Sequence, residues 1–348
     1  MKFDIILPGT NHIPGTNVWA HALDADGYRR VLGTIDDLGY STVCVSEHLA
    51  MPHFEVPRLG AYWQDALTVM AFAAAATRTV RIDATVLVLP YHHPLRLAKA
   101  LATIDVLSGG RLNVSVGVGH AEQEFAALGV PFRERGAITD EILAALTTLW
   151  TADRPEHRGR YFEITGLAIE PIPVQRPRPP IHVGGNSKPA LRRAARYEGW
   201  QPNPTGFTLA EIPPLFDYLR DQPDFAGKED TFDVYWLSQP EAARAPDSFA
   251  TAGPAALRAY REQLVAAYAG EYPAAGITRT AVVTPAAVSS LEEYLDFLAW
   301  FAAEVLPRVP DPPEPALAGL SVPVSGHPAP GTRGARDTID RDPTEGSR

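Results

Sequence analysis

Short apolar runs rich in Val, Ile and Thr recur along the chain, and longer stretches with apolar residues every three or four positions lie between them. The short runs predict strands at Phe3–Leu7, Thr42–Ser46, Val80–Leu89, Leu112–Val118, Pro180–Gly184, Gly199–Pro202, Phe232–Leu237 and Thr278–Val283. They are almost continuously apolar, as suits strands buried on both faces. The intervening stretches predict helices at Asp24–Leu38, Asp65–Thr77, Pro94–Leu107, Arg133–Leu149, Lys188–Glu198, Leu209–Arg220, Pro254–Ala269 and Leu291–Val305. Pro94, Pro189 and Pro254 stand in first helical turns, and glycines follow Leu38 and Ser108 as stop signals. Eight strands alternating with eight helices over roughly 300 residues fit an α/β fold of the (β/α)₈ barrel kind. A doubly wound open sheet competes, but the first strand leads into Pro8-Gly9-Thr10-Asn11 rather than a G-x-G-x-x-G turn.

Three segments break the alternation. Residues 151–179 are Pro-rich and predict an excursion with a short hairpin before the fifth strand. Residues 239–253 read as a long loop at a strand end. The segment 307–348 is rich in Pro, Gly and charge and reads as a disordered tail behind a domain of residues 1–306.

Composition narrows the class. The chain has 348 residues, 45% of them hydrophobic and 21% charged, which describes an ordinary globular protein. A formal charge of −10 argues against a nucleic-acid partner. The single cysteine, Cys44, excludes an internal disulfide framework and fits a reducing compartment. No apolar stretch approaches a membrane span, and the chain enters a strand at once without a leader, so the expectation is a cytoplasmic protein.

The segment from Arg81 to Phe125 carries the most chemistry. Two apolar strands bracket one amphipathic helix, and the second strand opens into Gly117-Val118-Gly119-His120-Ala121-Glu122. In such units the chemistry gathers at the carboxyl ends of the strands. Glu47 and His48 directly follow the second strand, well placed for acid–base work. Their structural alternative is a Glu–Arg pair and a capping His. Glu122 is a second acid candidate, equally readable as a helix-start carboxylate. Gly184-Gly185-Asn186-Ser187 joins a strand to a helix and would let backbone approach an anion. His92-His93 does not read as a metal site, because adjacent side chains on an extended chain diverge. A loop-to-helix cap accounts for it better. Arg111 reads as a structural residue, with Asp105 a possible partner. Phe54, Tyr62, Trp63 and Trp200 are candidate walls of an apolar cleft.

Several ordered segments resemble the luciferase-like monooxygenase family over about residues 1–306, and within it the deazaflavin-dependent branch. They are Val45-Ser46-Glu47-His48-Leu49, the Arg81–Gly119 block, Glu124-Phe125 through Arg135-Gly136, and Pro180-Ile181-His182-Val183-Gly184-Gly185-Asn186. The resemblance implies a luciferase-like (β/α)₈ barrel with an insertion before the fifth strand. It implies coenzyme F420, with FMN as the alternative, at the carboxyl end. It further implies a cis peptide at Thr85–Val86 behind the ring and contacts from Gly119 and His120. Gly184, Gly185, Asn186 and Ser187 would take the phosphate end. Glu47 would hydrogen-bond the cofactor head. His48 or Glu122 would supply a proton as the reduced ring hands a hydride to a small-molecule carbonyl, imine or activated alkene. Alcohol oxidation would use the same parts in reverse. A monooxygenase using reduced FMN and dioxygen is the close alternative. A non-catalytic cofactor-binding protein is the reading from another class. The deazaflavin's oligoglutamate tail, which needs a longer, partly basic groove, separates the two cofactors. By resemblance the protein is expected to be a homodimer.

Overall fold

The computed structural model describes residues 1–249 and 251–310. Eight strands form the barrel wall: β1 (Lys2–Ile6), β2 (Thr42–Val45), β3 (Arg81–Ala84), β4 (Val114–Gly117), β5 (Ile181–Gly184), β6 (Gly199–Gln201), β7 (Asp233–Trp236) and β8 (Arg279–Ala281). The main helices are α1 (Ala25–Asp37), α2 (Ala66–Ala76), α3 (Pro94–Ser108), α4 (Arg135–Thr151), α5 (Lys188–Ala194), α6 (Ile212–Arg220), α7 (Pro254–Ala266) and α8 (Leu291–Glu304). Side-chain oxygens of Asp24, Asp65, Ser187 and Ser290 cap α1, α2, α5 and α8. Each accepts a backbone N–H that the helix itself leaves unpaired.

Every strand pairing in the wall is parallel, and β1 sits between β2 and β8. The wall closes through β3, which does so in two pieces. Arg81–Ala84 pairs with β2, and after an interruption Leu87–Val88 pairs with β4. The interruption is Thr85–Val86, whose peptide bond is cis. A bridge between Ile82 and Leu112 completes the seam below it. The single strand expected over Val80–Leu89 is therefore split, at the position the family resemblance implied.

Inside the wall lies a layer of polar side chains rather than the usual branched aliphatics. The Arg279 guanidinium donates to Asp4 Oδ2 from Nε at 3.0 Å and from Nη2 at 2.6 Å, and to Thr42 Oγ1 at 3.1 Å. Asp83 and Asp233 lie at 3.8 and 3.9 Å from it. Asp83 in turn accepts from the Ser115 amide and hydroxyl, both at 2.8 Å. Burial is complete at Asp4 and raises its carboxyl pKa more than Arg279 lowers it. For Asp83 burial also raises the carboxyl, but His182 at 3.6 Å, Arg279 and the Ser115 hydroxyl together outweigh it and hold the pKa down.

The excursion before β5 carries the expected hairpin, His157–Arg158 against Glu163–Ile164. The described residues of 239–253 contain no helix or strand. Three expectations need correction. Arg111 does not meet Asp105. Its guanidinium donates to the carbonyls of Ala74, Thr77, Val80 and Ser108, while Asp105 accepts from Val174, Gln175 and the Gln175 carboxamide. Trp200 is no cleft wall, since its ring is fully buried and stacks near Phe216. The chain also does not leave the fold at 307, because Val309 is still packed in the core. The rest of the expected tail, residues 311–348, lies outside the described residues.

Asp36 ties α1 to the start of β3. Its carboxylate accepts from the amides of Arg78, Thr79 and Val80 and from the Thr79 hydroxyl. Burial opposes ionisation, but these four donors outweigh it and hold the pKa at about 2. A carboxyl depressed in the folded state contributes stability that is complete above its unfolded pKa and is lost as pH falls through the folded value. Asp36→Ala should therefore cost about 2–3 kcal/mol in urea unfolding at pH 7, because buried amides lose their acceptor. The gap between wild type and variant should narrow as pH is lowered from about 4 towards 2. An unchanged gap across that window would show that the charge of Asp36 is not what holds β3.

Candidate active site

At the carboxyl end of the barrel, β2 runs out into Ser46-Glu47-His48. Neighbouring side chains on an extended segment point to opposite sides, and here that divides the work. Glu47 turns into the wall. One of its oxygens accepts the Val88 amide at 2.6 Å, and the other lies 2.9 Å from His92 Nε2. Glu47 is thus a brace from the end of β2 to the far side of the cis bond. Both of its oxygens are used, so the expected contact with a cofactor head is not what this geometry offers. His93 caps α3 through Nδ1, as the sequence implied.

His48 turns the other way, to the mouth, with its side chain 12% exposed. Its Nδ1 lies 2.8 Å from Glu124 Oε2. Glu124 is buried and also accepts from the amides of Leu49 and Ala50 and from the Tyr91 hydroxyl. Burial raises its pKa, but the His48 hydrogen bond and the two amides outweigh that and hold it below the ordinary carboxylate range. Near neutral pH Glu124 is therefore an anion that can only accept, so Nδ1 of His48 carries the proton and Nε2 is left as the working nitrogen.

Glu122, the other acid candidate, does not join this pair. Glu122 is exposed in the first turn of the short helix Glu122–Leu128, and no hydrogen bond links it to His48 among the described residues. Residues two apart on a helix face different directions. The phase that buries Phe125 against Tyr91 carries Glu124 inward and Glu122 outward. The spacing to Phe125 is the sequence signal that could have distinguished them.

Around His48 the mouth is aromatic. Trp63 meets it edge-on at 4.7 Å and His120 at 5.6 Å. Burial, and then the neighbouring His48, lower the His120 pKa. Trp63 is held by pairing between the loops after β1 and β2, where Asn11 bridges Trp63 and the His12 ring stacks on Tyr62 at 3.8 Å. Phe54 and Tyr62 stay exposed on the same loops.

The floor is built from the cis bond and glycines. Thr85 and Val86 are partly exposed, within a segment otherwise buried from Ile82 to Pro90. A Cβ at Gly117 would stand 2.6 Å from Val86 Cγ2, and one at Gly184 3.2 Å from Val86 Cγ1. The ends of β4 and β5 thus lack side chains where Val86 sits between them. Gly119 has φ +76°, and a side chain there would collide with Val88 and Phe125. Thr85, Val86, Gly119, His120, Gly184 and His48 therefore come together at one end of the barrel.

Asn186 and Ser187 do not remain free for a phosphate. The Asn186 carboxamide donates to the Asn203 carbonyl and accepts the Asn203 amide, both at 2.8 Å, clamping two loops. Ser187 Oγ accepts from the Ala190 amide as the cap of α5. Gly185, with φ +112°, receives the Trp200 indole N–H on its carbonyl.

One residue was missed. Gln201 is buried, and its Oε1 has no hydrogen-bond partner. A Cβ on Gly199 would meet the His182 ring inside the barrel, so Gln201, two residues along β6, faces the same interior nearer the mouth. A polar residue in phase with an inward glycine was the available signal. An unpaired buried carbonyl oxygen is costly unless a ligand donor completes it. The cyclic imide edge common to flavins and deazaflavins offers an N–H donor for that oxygen, so the residues present fit such a ring.

A family model described as luciferase-like monooxygenase matches residues 1–306. The chain is 35% identical over 139 residues to an FMNH2-dependent dimethylsulfone monooxygenase of Pseudomonas putida, covering 39% of this chain and 38% of that one. The fold is similar to the monooxygenase RslO1 of Streptomyces bottropensis, with TM-score 0.71, 23% identity and coverage of 88% and 99%. It is also similar to an F420-dependent secondary alcohol dehydrogenase in complex with an F420-acetone adduct, with TM-score 0.67, 16% identity and coverage of 89% and 99%. At these identities the structural likeness establishes the shared barrel. Among the described residues no helix is long and apolar enough to cross a membrane.

The seating of Val86 makes a direct prediction. Gly117→Ala should cost about 1–3 kcal/mol in chemical unfolding through overpacking against Val86. Val86→Ala in the same chain should recover most of that loss, because it removes the colliding methyls. Additive effects of the two substitutions would show that Val86 is not held in the notch left by Gly117.

Proposed function

The chain belongs to the luciferase-like monooxygenase family, and from that premise we propose that it is an oxidoreductase moving a hydride between coenzyme F420 and a small carbonyl, alcohol, imine or activated alkene. The observation that carries this reading is the His48–Glu124 pair at the mouth. Hydride transfer to or from a carbonyl carbon needs one proton delivered to, or taken from, the oxygen. When bound, the deazaflavin would supply the hydride chemistry at ring carbon C5. Thr85, Val86, Gly119, Gly184, Gly185 and Gln201 would hold it.

The chain's own part is proton handling and exclusion of water. With Nδ1 engaged by Glu124, His48 presents Nε2 as the atom that takes a proton from an alcohol or, when protonated, gives one to a carbonyl oxygen. Glu124 fixes the ring's tautomer and direction, as carboxylates do behind histidines elsewhere. Trp63 and His120 crowd the same ring and narrow the space that water can occupy.

A second reading is an FMNH2-dependent monooxygenase, and the 35% identity to the dimethylsulfone enzyme favours it. Fluorescence titration with oxidised F420 and, separately, with FMN distinguishes the two. Saturable F420 binding with weak FMN binding is expected, and the reverse preference would replace this reading with the second. His48→Ala should keep cofactor affinity within about threefold and lower turnover by about 10²–10⁴-fold, the usual worth of a general acid or base. Unchanged turnover would remove His48 from the mechanism. Glu124→Gln should act on kcat and its pH profile more than on KM, because it changes the ring's proton arrangement rather than the pocket. A change confined to KM would assign Glu124 to binding instead.

A further inference from the structure

The large apolar side chains that stay exposed are not scattered evenly. Among the described residues there are nine, and four of them, Val18, Leu49, Phe54 and Tyr62, belong to the loops after β1 and β2. Phe54 is 68% exposed. A single exposed apolar residue is ordinary, but several gathered on one rim mark a binding surface. The two loops form one wall. The His12 ring stacks on His21 at 4.0 Å and on Tyr62 at 3.8 Å. A side chain on Gly60 would collide with the His12 carbonyl, so the two backbones meet there.

This wall carries no free charge. The loop from Pro8 to Leu23 has no Asp, Glu, Lys or Arg. The segment from Ser46 to Gln64 has three charged side chains, and each is engaged. Glu47 holds the Val88 amide, and Glu55 pairs with Arg58 at 2.6 Å. The charges of Arg58 and Glu55 both act on His120, which brings the turn they share near the loop after β4. The apolar surface also runs inward. Leu49 directly follows His48, and the Trp63 ring meets the His48 ring edge-on at 4.7 Å. The Trp63 indole N–H is buried without a partner among the described residues. From rim to imidazole the wall therefore offers apolar area, one unused N–H donor and no unpaired charge. A pocket lined in this way orients its ligand by a few polar contacts and holds it by burial. A macromolecular partner would need the rim alone. The continuation down to His48 favours a substrate that starts at the imidazole and extends outward.

We propose that the mouth takes a neutral substrate with an extended apolar body, its oxygen function at His48 and its hydrocarbon part along Trp63, Leu49 and Phe54. The inference rests on the hydride-transfer reading of the mouth given above and narrows its substrate class. It does not depend on which of the two ring cofactors is bound.

The test is calorimetric titration of the full chain, alone and with saturating oxidised F420 or FMN. The ligands are 2-butanone, 2-hexanone, 2-octanone and 7-oxooctanoate. The last keeps the methyl ketone and chain of 2-octanone and ends in a carboxylate. A fully buried methylene is worth about fourfold in affinity, so about twofold for each is expected on a half-open wall. On that basis 2-octanone should bind about 15-fold more tightly than 2-butanone. The far carboxylate of 7-oxooctanoate should cancel most of that gain, because its charge would lie against an apolar wall. The double variant Leu49→Ser/Phe54→Ser should flatten the dependence on length. Its urea midpoint is the control for folding, since both side chains are exposed. Affinity independent of chain length, 7-oxooctanoate binding as well as 2-octanone, or a length dependence that survives the double variant each overturns the proposal. A length dependence lost as chain concentration rises, with a second copy seen by sedimentation, overturns it too and gives the rim to an interface between copies. Absence of both F420 and FMN binding overturns the proposed function, while the ketone series on the chain alone still decides this inference. Cofactor binding without any dependence on ketone length overturns this inference alone.

Discussion

Arg279 is the residue on which the barrel closes. It rises from β8 into the centre and is bonded to β1 through Asp4 and to β2 through Thr42. It lies near β3 through Asp83, β5 through His182 and β7 through Asp233. Asp83 continues the contact to β4 through Ser115. The remaining strand, β6, offers Gly199, and the absent side chain is the space that the His182 ring fills. One layer of the interior therefore names a specific residue on each of eight strands. A buried ionic layer is weak evidence for stability, because desolvation offsets much of the attraction. Its value lies in register. A strand shifted by one residue would place an unpaired charge in the centre, which costs far more than a shifted aliphatic side chain.

The same closure sets up the mouth. Because β3 is interrupted between its two pairings, the wall is sealed on either side of Thr85–Val86, while those two residues are left partly exposed. The gap needs support, and Glu47 spans it by holding the Val88 amide. Glu124 does the matching task across the top, reaching from the helix after β4 to the segment after β2. Glu47, an acid candidate in the sequence, is thus engaged in backbone support, and so in part is Glu124, which also orients the imidazole of His48.

The order of strands and helices was legible because strands buried on both faces read as unbroken apolar runs, and because Asp24, Asp65, Ser187 and Ser290 announce helix starts. The insertion hairpin showed itself as an interruption of that order. The break at Thr85–Val86 could be located only through family resemblance, since Ala84-Thr85-Val86-Leu87 reads locally as an ordinary strand. The site was less legible. His48 came from its place after β2. The distinction between Glu122 and Glu124 depends on helical phase, and the assignment of Asn186 to a loop clamp depends on Asn203, seventeen residues away. Gln201 escaped notice because a single polar residue at the end of a three-residue strand looks like the start of a loop. Partners remote in sequence decide such cases, and local pattern does not contain them.

The loop after β4 is pinned at two points, by Gly117 under Val86 and by Glu124 under His48. Between them run Val118 to Gln123, whose Glu122 and Gln123 side chains stand open to solvent while His120 meets the His48 ring. The wall and the orienting carboxylate do not draw on those exposed side chains. A barrel built this way can exchange the loop's outward-facing residues without disturbing the His48–Glu124 pair. New substrates could then be explored by drift in a short, bracketed stretch while the machinery beneath it stays under constraint.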